Sequence, residues 1–160
     1  MKRHTHSSVK YIAGISAELF LPGKHSTDGF SGTGGIVMSI VITTSKAPAA
    51  IGPYCQGRVV GDLVFTSGQI PVDPEDASIA QDIEGQAAQS CKNVGAILEA
   101  AGSDFSKVVK TTCFLVNMED FSKFNAVYEK FFISNPARSC VAVKTLPKGV
   151  LCEIEAIAER

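Results

Sequence analysis

The chain has no tryptophan, and its three histidines, His4, His6 and His25, all precede Met38. Residues 38–160 therefore cannot build a histidine zinc site, a Ser-His-Asp triad or a Cys-His pair. Any proton transfer there falls to Glu, Asp, Lys, Tyr, Cys or bound water. No run approaches the length of a membrane span. No charge excess exists either: 15 basic and 16 acidic residues leave a net charge of −1, with no global pull toward nucleic acid or an anionic membrane. No two of the five cysteines (Cys55, Cys91, Cys113, Cys140, Cys152) have C-x-x-C spacing, and their number is odd. They read as reduced, buried thiols of a cytosolic protein rather than a disulfide framework. There is no P-loop, no strand-borne GxGxxG and no metal-ligand cluster.

What is present reads as one globular domain, since 160 residues are too few for two ordinary ones, and 45% hydrophobic with 19% charged is a folding composition. Residues 1–37 differ in texture, with a basic start, a short apolar patch broken by Glu18, and a Gly/Ser/Thr-rich run from Ser26 to Gly35. They are expected to be a non-domain extension, an added leader or upstream-start segment first and a natural transit or tail segment second. The domain is expected over 38–160.

Within it, Ile40–Thr44 reads as a first strand. Arg58–Val60 and Leu63–Thr66 flank Gly61-Asp62, a two-residue hairpin signal. From about Gln81 the period turns helical, with Ile83, Ala87, Cys91, Val94, Leu98 and Ala101 on one face and Gly102 as the stop. Val108–Val116 is strand-like. Asn117 offers an N-cap for a second helix, whose stripe of Phe121, Phe124, Tyr128, Phe131 and Phe132 reads as core packing. Arg138–Lys144 and Val150–Ala158, joined by Pro147-Lys148-Gly149, read as a closing hairpin. The expected order is ββαβαββ, an α+β layer of one sheet with two helices on one face. The other face, read as Val, Cys, Ile and Ala, is expected to be covered by a partner subunit.

Arg138 follows Pro136 at the mouth of a strand and shares a face with Cys140, while Ser139 and Val141 take the other face. A guanidinium there suits a carboxylate in bidentate fashion. A carboxylate of a ligand and one of the protein itself both fit this reading. Glu153 and Glu155 share a face of the last strand between apolar neighbours. There, burial would raise a carboxyl toward the range of general acid/base chemistry, and an intersubunit salt bridge is the structural alternative. Ser67 and Gly68, at a strand end, can offer a hydroxyl and backbone amides to a ligand. Tyr54, after Gly52-Pro53, can wall a pocket or simply pack. Asn125 interrupts the aromatic face and aims a polar group at a site or an interface. Cys140 is a nucleophile only if a cation lowers its pKa.

These residues sit in segments that resemble the Rid family, the reactive-intermediate imine deaminases. The likeness runs through Ala47–Tyr54, Thr66–Pro71, Val109–Thr112, Asn125-Ala126, Pro136–Val141 and Glu153–Ala158. It implies a chorismate-mutase-like fold and a homotrimer with sites in the clefts between subunits. It also implies hydrolysis of 2-imino acids such as 2-iminobutanoate and 2-iminopropanoate to 2-keto acids and ammonia, with no metal or organic cofactor. By position, Arg138 is similar to the family's substrate-carboxylate arginine and Glu153 to the glutamate that handles the attacking water. Tyr54, Ser67, Asn125 and Cys140 match other cleft residues. Because some members carry names of translation inhibitors or ribonucleases, an RNA-acting effector is one alternative. The near-zero charge, without basic and aromatic residues interleaved, argues against it. A non-catalytic trimer that binds small carboxylates is another.

Overall fold

A computed structural model describes residues 39–160. The expectation for residues 1–37 lies outside them. The element order is β1 (Ser39–Ile42), β2 (Gly57–Val60), β3 (Leu63–Thr66), α1 (Ile83–Ala100), β4 (Val108–Leu115), α2 (Phe121–Phe131), β5 (Ala137–Ala142) and β6 (Cys152–Glu159). This is the α+β arrangement expected; the first strand read at Ile40–Thr44 is β1, at an edge, one strand more than the ββαβαββ order counts. The six strands form one sheet in the order β1-β2-β3-β6-β4-β5. The Gly61-Asp62 turn closes β2 on β3 with Val60 opposite Leu63.

The expected C-terminal hairpin does not form. β6 pairs antiparallel with β3 on one side and β4 on the other, and β5 runs parallel to β4 at the far edge. The burial pattern explains the difference. On β6, Cys152, Ile154, Ala156 and Ala158 are all buried, which only a central strand beneath the helices can satisfy. On β5 the residues alternate between exposed and half-buried, as an edge strand tolerates. The α2 crossover delivers β5 parallel to β4, since parallel neighbours need such a connection.

α1 is fixed at both ends by its sequence. The Asp82 carboxylate accepts the Gly85 N–H at 2.7 Å, an N-cap. At the other end Gly102 takes the left-handed conformation (φ 80°). Ser103 N–H then donates to Leu98 and Gly102 N–H to Glu99, satisfying the last carbonyls. Asn117 does cap, but it caps a short 3₁₀ turn, Met118–Asp120, that leads into α2. Phe124, Tyr128 and Phe132 are buried, so the aromatic stripe is core as read.

Both helices cover one face. The open face carries Phe65, Phe114 and Ile157 among Lys110, Thr112, Glu153 and Glu155. Its cysteine and alanine neighbours on β4 and β6 lie beneath the helices instead. That correction follows from register: Cys113 pairs with Ile154, both buried, so the alternating partners Phe114 and Glu153 point the other way. Among the described residues, no helix is long and apolar enough to cross a membrane.

Candidate active site

The sequence-predicted residues fall into two groups on opposite faces of the sheet. Arg138 belongs to the helix side. It sits opposite Thr111 in the parallel β4–β5 ladder, and Cys140 sits opposite Cys113. Thr111 and Cys113 are buried under the helices, so Arg138 and Cys140 share that face, as their alternation implied.

α2 holds the guanidinium from above. Arg138 Nη1 donates to Asn125 Oδ1 at 2.8 Å. Its central carbon lies 4.6 Å from the Tyr128 ring centroid and 5.5 Å from that of Phe121. Residues 121, 125 and 128 recur on one face of α2, which explains why they meet one strand residue together. The Tyr128 ring is pinned in turn: its hydroxyl and that of buried Thr111 are 2.8 Å apart. Among the described residues no carboxylate pairs with Arg138; the one ion pair there joins Lys46 and Glu99 at the surface. The fork is thus oriented by aromatic faces and one amide while its charge has no counterion among the described residues. Sequence reasoning assigned Phe121 and Tyr128 to packing alone. The signal that distinguishes them is their spacing around Asn125 on the helix turn that faces the arginine.

Cys140 lies beside Arg138 but is no ready nucleophile. Burial raises its thiol pKa, and the Arg138 charge only partly opposes that. Cys113 and Cys152 are pushed up by burial to about 12, so these thiols stay protonated and inert.

Glu153 belongs to the open face. It pairs with Phe114 across β4, between buried Cys152 and Ile154. Burial raises its pKa, and the like charge of Glu155 raises it further. The Ser67–Gln69 turn abuts it. Gln69 and Ile154 exchange backbone hydrogen bonds at 2.8 and 3.2 Å, which fastens the turn to β6. Ser67 is fixed twice, its hydroxyl donating to the Cys55 carbonyl at 2.6 Å and its amide to that of Gln56 at 2.9 Å. A hydroxyl so committed is a poor nucleophile. Gly68 leaves room for Glu153: a Cβ there would overlap Glu153 Oε1, so the carboxylate would have to move. Tyr54 stands nearby on the same cavity wall as Gly68, more than half exposed, its hydroxyl accepting the Ile51 N–H at 3.3 Å.

One group therefore offers a cation oriented for a carboxylate: Arg138, Asn125, Cys140 and their aromatic floor. The other offers a carboxyl of raised pKa on β6 beside a fastened turn: Glu153 with Ser67, Gly68 and Tyr54. The sheet separates them within the chain. No group of three or more His, Cys, Asp or Glu residues suited to a metal ion occurs among the described residues.

The chain is 59% identical over 121 residues to AldR of Lactococcus lactis, a protein named for regulation, covering 74% of this chain and 96% of that one. It is 55% identical over 127 residues to the 2-iminobutanoate/2-iminopropanoate deaminase of Salmonella typhimurium, covering 77% and 99%. Among solved structures, Escherichia coli TdcF with bound serine superposes with a TM-score of 0.73 at 49% identity, covering 75% of this chain and 98% of that one. The family model described as endoribonuclease L-PSP matches residues 44–160. With that match over most of its length, and with deaminases of this family more than half identical to it, the chain belongs to the endoribonuclease L-PSP family, the Rid family that its motifs resemble.

Proposed function

We propose that the protein hydrolyses 2-imino acids to 2-keto acids and ammonia, as the Salmonella and Escherichia coli relatives named 2-iminobutanoate/2-iminopropanoate deaminase do. The observation that carries the reading is Arg138: a guanidinium held by Asn125, Tyr128 and Phe121 with no carboxylate among the described residues to neutralise it. Such a group is ready for the carboxylate of a small acid.

The chemistry asks little more. A protonated imine is already electrophilic at carbon. Holding its carboxylate fixes that carbon, and a base must then take a proton from water as the oxygen attacks. Glu153 supplies the base. Its raised pKa makes it a stronger acceptor than an ordinary glutamate; it can return that proton to nitrogen and then take the hydroxyl proton as the C–N bond breaks and ammonia leaves. Tyr54 and the Ser67-Gly68 turn wall the site.

Arg138 and Glu153 lie on opposite faces of one sheet, so a substrate that meets both lies between two copies. We take the assembly to be a homotrimer with three such clefts, which also covers the apolar residues of the open face, and the location to be the cytoplasm. The coupled test is direct. A pyridoxal-phosphate threonine dehydratase releases the imine, and 2-ketobutanoate is followed with and without the protein. The expected result is faster keto-acid formation with wild type and loss of that acceleration with Arg138→Ala. Equal rates with and without the protein would refute the reading.

A further inference from the structure

The packed face of α1 carries two amides, Gln86 and the fully buried Asn93. A buried amide costs stability unless its donors and its acceptor are met. Here they are met, and mostly by backbone outside the helix. Gln86 Nε2 donates to the Ala80 carbonyl at 2.8 Å, and its Oε1 accepts the Leu151 N–H at 2.7 Å. Asn93 Nδ2 donates to the carbonyls of Ile70 and Val72 at 3.0 and 2.9 Å, and its Oδ1 accepts from Gln89 Nε2 at 2.9 Å.

The two amides hold the two sides of the Glu153 half separately. Gln86 fixes β6, since Leu151 lies just ahead of Cys152 and Glu153, which are themselves paired with Leu115 and Phe114. Asn93 fixes the segment that follows the Ser67–Gln69 turn. That turn meets β6 through Gln69, whose two bonds to Ile154 form an isolated bridge. A lone bridge is only as firm as the chain on either side of it. On one side the Ser67 amide is tied to the Gln56 carbonyl, and on the other Asn93 ties Ile70 and Val72. Gly68, inside the turn, lies so close to the Glu153 carboxylate that a Cβ would overlap it. Where the turn sits therefore sets the space left to the carboxylate.

We propose that Asn93 is a positioning residue for Glu153: from the helix side of the sheet it holds the turn that seats the carboxylate on the open face. It does so without touching the carboxylate or the substrate. The proposal rests on the deaminase reading. In that reading Arg138 holds the substrate and Glu153 serves the water, so a fault confined to the turn slows the chemical step and spares substrate capture. A loosened turn also admits water to a carboxyl whose pKa burial raises, which moves the acid limb of the rate profile to lower pH. The charged groups around Glu153 are unchanged by that fault: Glu155 on β6, Lys110 on β4, and Asp73 and Lys148 on the cavity wall shared with Gly68.

The dehydratase-coupled assay tests this, with imine supply varied through the amount of dehydratase so that kcat and KM separate. Asn93→Leu removes both donors and keeps a branched side chain. Leu98→Ala, also buried on α1, controls for a loss of stability that does not involve the turn. For folded Asn93→Leu the expected result is a kcat about tenfold lower, a KM within about twofold of wild type, and an acid limb displaced to lower pH. Leu98→Ala is expected to leave the acid limb in place. A folded Asn93→Leu that matches Leu98→Ala in kcat, KM and acid limb overturns the proposal. Where Asn93→Leu does not fold, Gln89→Leu decides, because it strips the half-buried partner from Asn93 Oδ1 and leaves both donors. A limb displaced in the same direction with a kcat loss of about threefold then supports the proposal, and an unchanged limb overturns it. These outcomes leave the deaminase reading standing, whereas no acceleration by wild type overturns both.

Discussion

At the scale of single residues, the proposed chemistry separates charge from geometry. Arg138→Lys keeps the charge but removes the planar fork and its stacking on Tyr128 and Phe121. A fall in kcat/KM of about 100-fold is expected in the coupled assay, with a smaller loss of about tenfold for Asn125→Ala, which frees the fork without removing it. Glu153 gives a prediction in pH. Folding raises its pKa, so the native state keeps a proton that the unfolded chain has released. Stability from this group is greatest at low pH. It declines as pH climbs from the ordinary glutamate value near 4.5 through the raised native value, and the penalty is complete above it. Glu153→Gln carries no such penalty. Its melting temperature is expected to gain on wild type across that window, while its activity is lost at every pH. A constant gap in melting temperature would show that Glu153 is not strained by burial. Gly68→Ala should act on the same carboxylate, because the added methyl occupies the space of Glu153 Oε1. Expected is a drop in kcat much larger than any change in melting temperature.

At the scale of elements, α2 both packs the core and aims the arginine. Tyr128→Leu preserves an apolar body but removes the ring beneath Arg138 and the hydroxyl contact to Thr111. A stability loss of about 1–3 kcal/mol is expected from the unpartnered Thr111 hydroxyl and the poorer fit, and it should come with a raised KM, which a purely structural role would not produce. The helices were legible because their apolar period and end signals are local: Gly102 stops α1, and Asn117 announces the turn into α2. Arg138, Cys140 and their shared face were legible for the same reason, since alternation on a strand is a local rule. The place of β6 was not. Its sequence, Cys152–Glu159, alternates as any half-buried strand does, and nothing in its own residues says whether the neighbour is β5 or β3. That choice rests on contacts with β3 and β4, many residues distant. The separation of Arg138 from Glu153 follows from it, and so was hidden too.

At the scale of the whole molecule, the two halves of the proposed site make a test that mixing can read. Arg138→Ala alone and Glu153→Gln alone are both expected to be inactive. If each cleft takes Arg138 from one copy and Glu153 from the next, refolding the two variants together in equal amounts restores about a quarter of the wild-type sites. No recovery on mixing would place both residues in one protomer or the assembly elsewhere. A further consequence concerns birth rather than function. β6 is the strand that joins β1-β2-β3 to β4-β5, yet it is translated after both. Until it emerges from the ribosome, the nascent chain holds two unjoined half-sheets, each with an apolar edge next to the missing strand. Assembly of the whole sheet thus waits for β6, and until then the two half-sheets keep unpaired strand edges of the kind that invite wrong pairing.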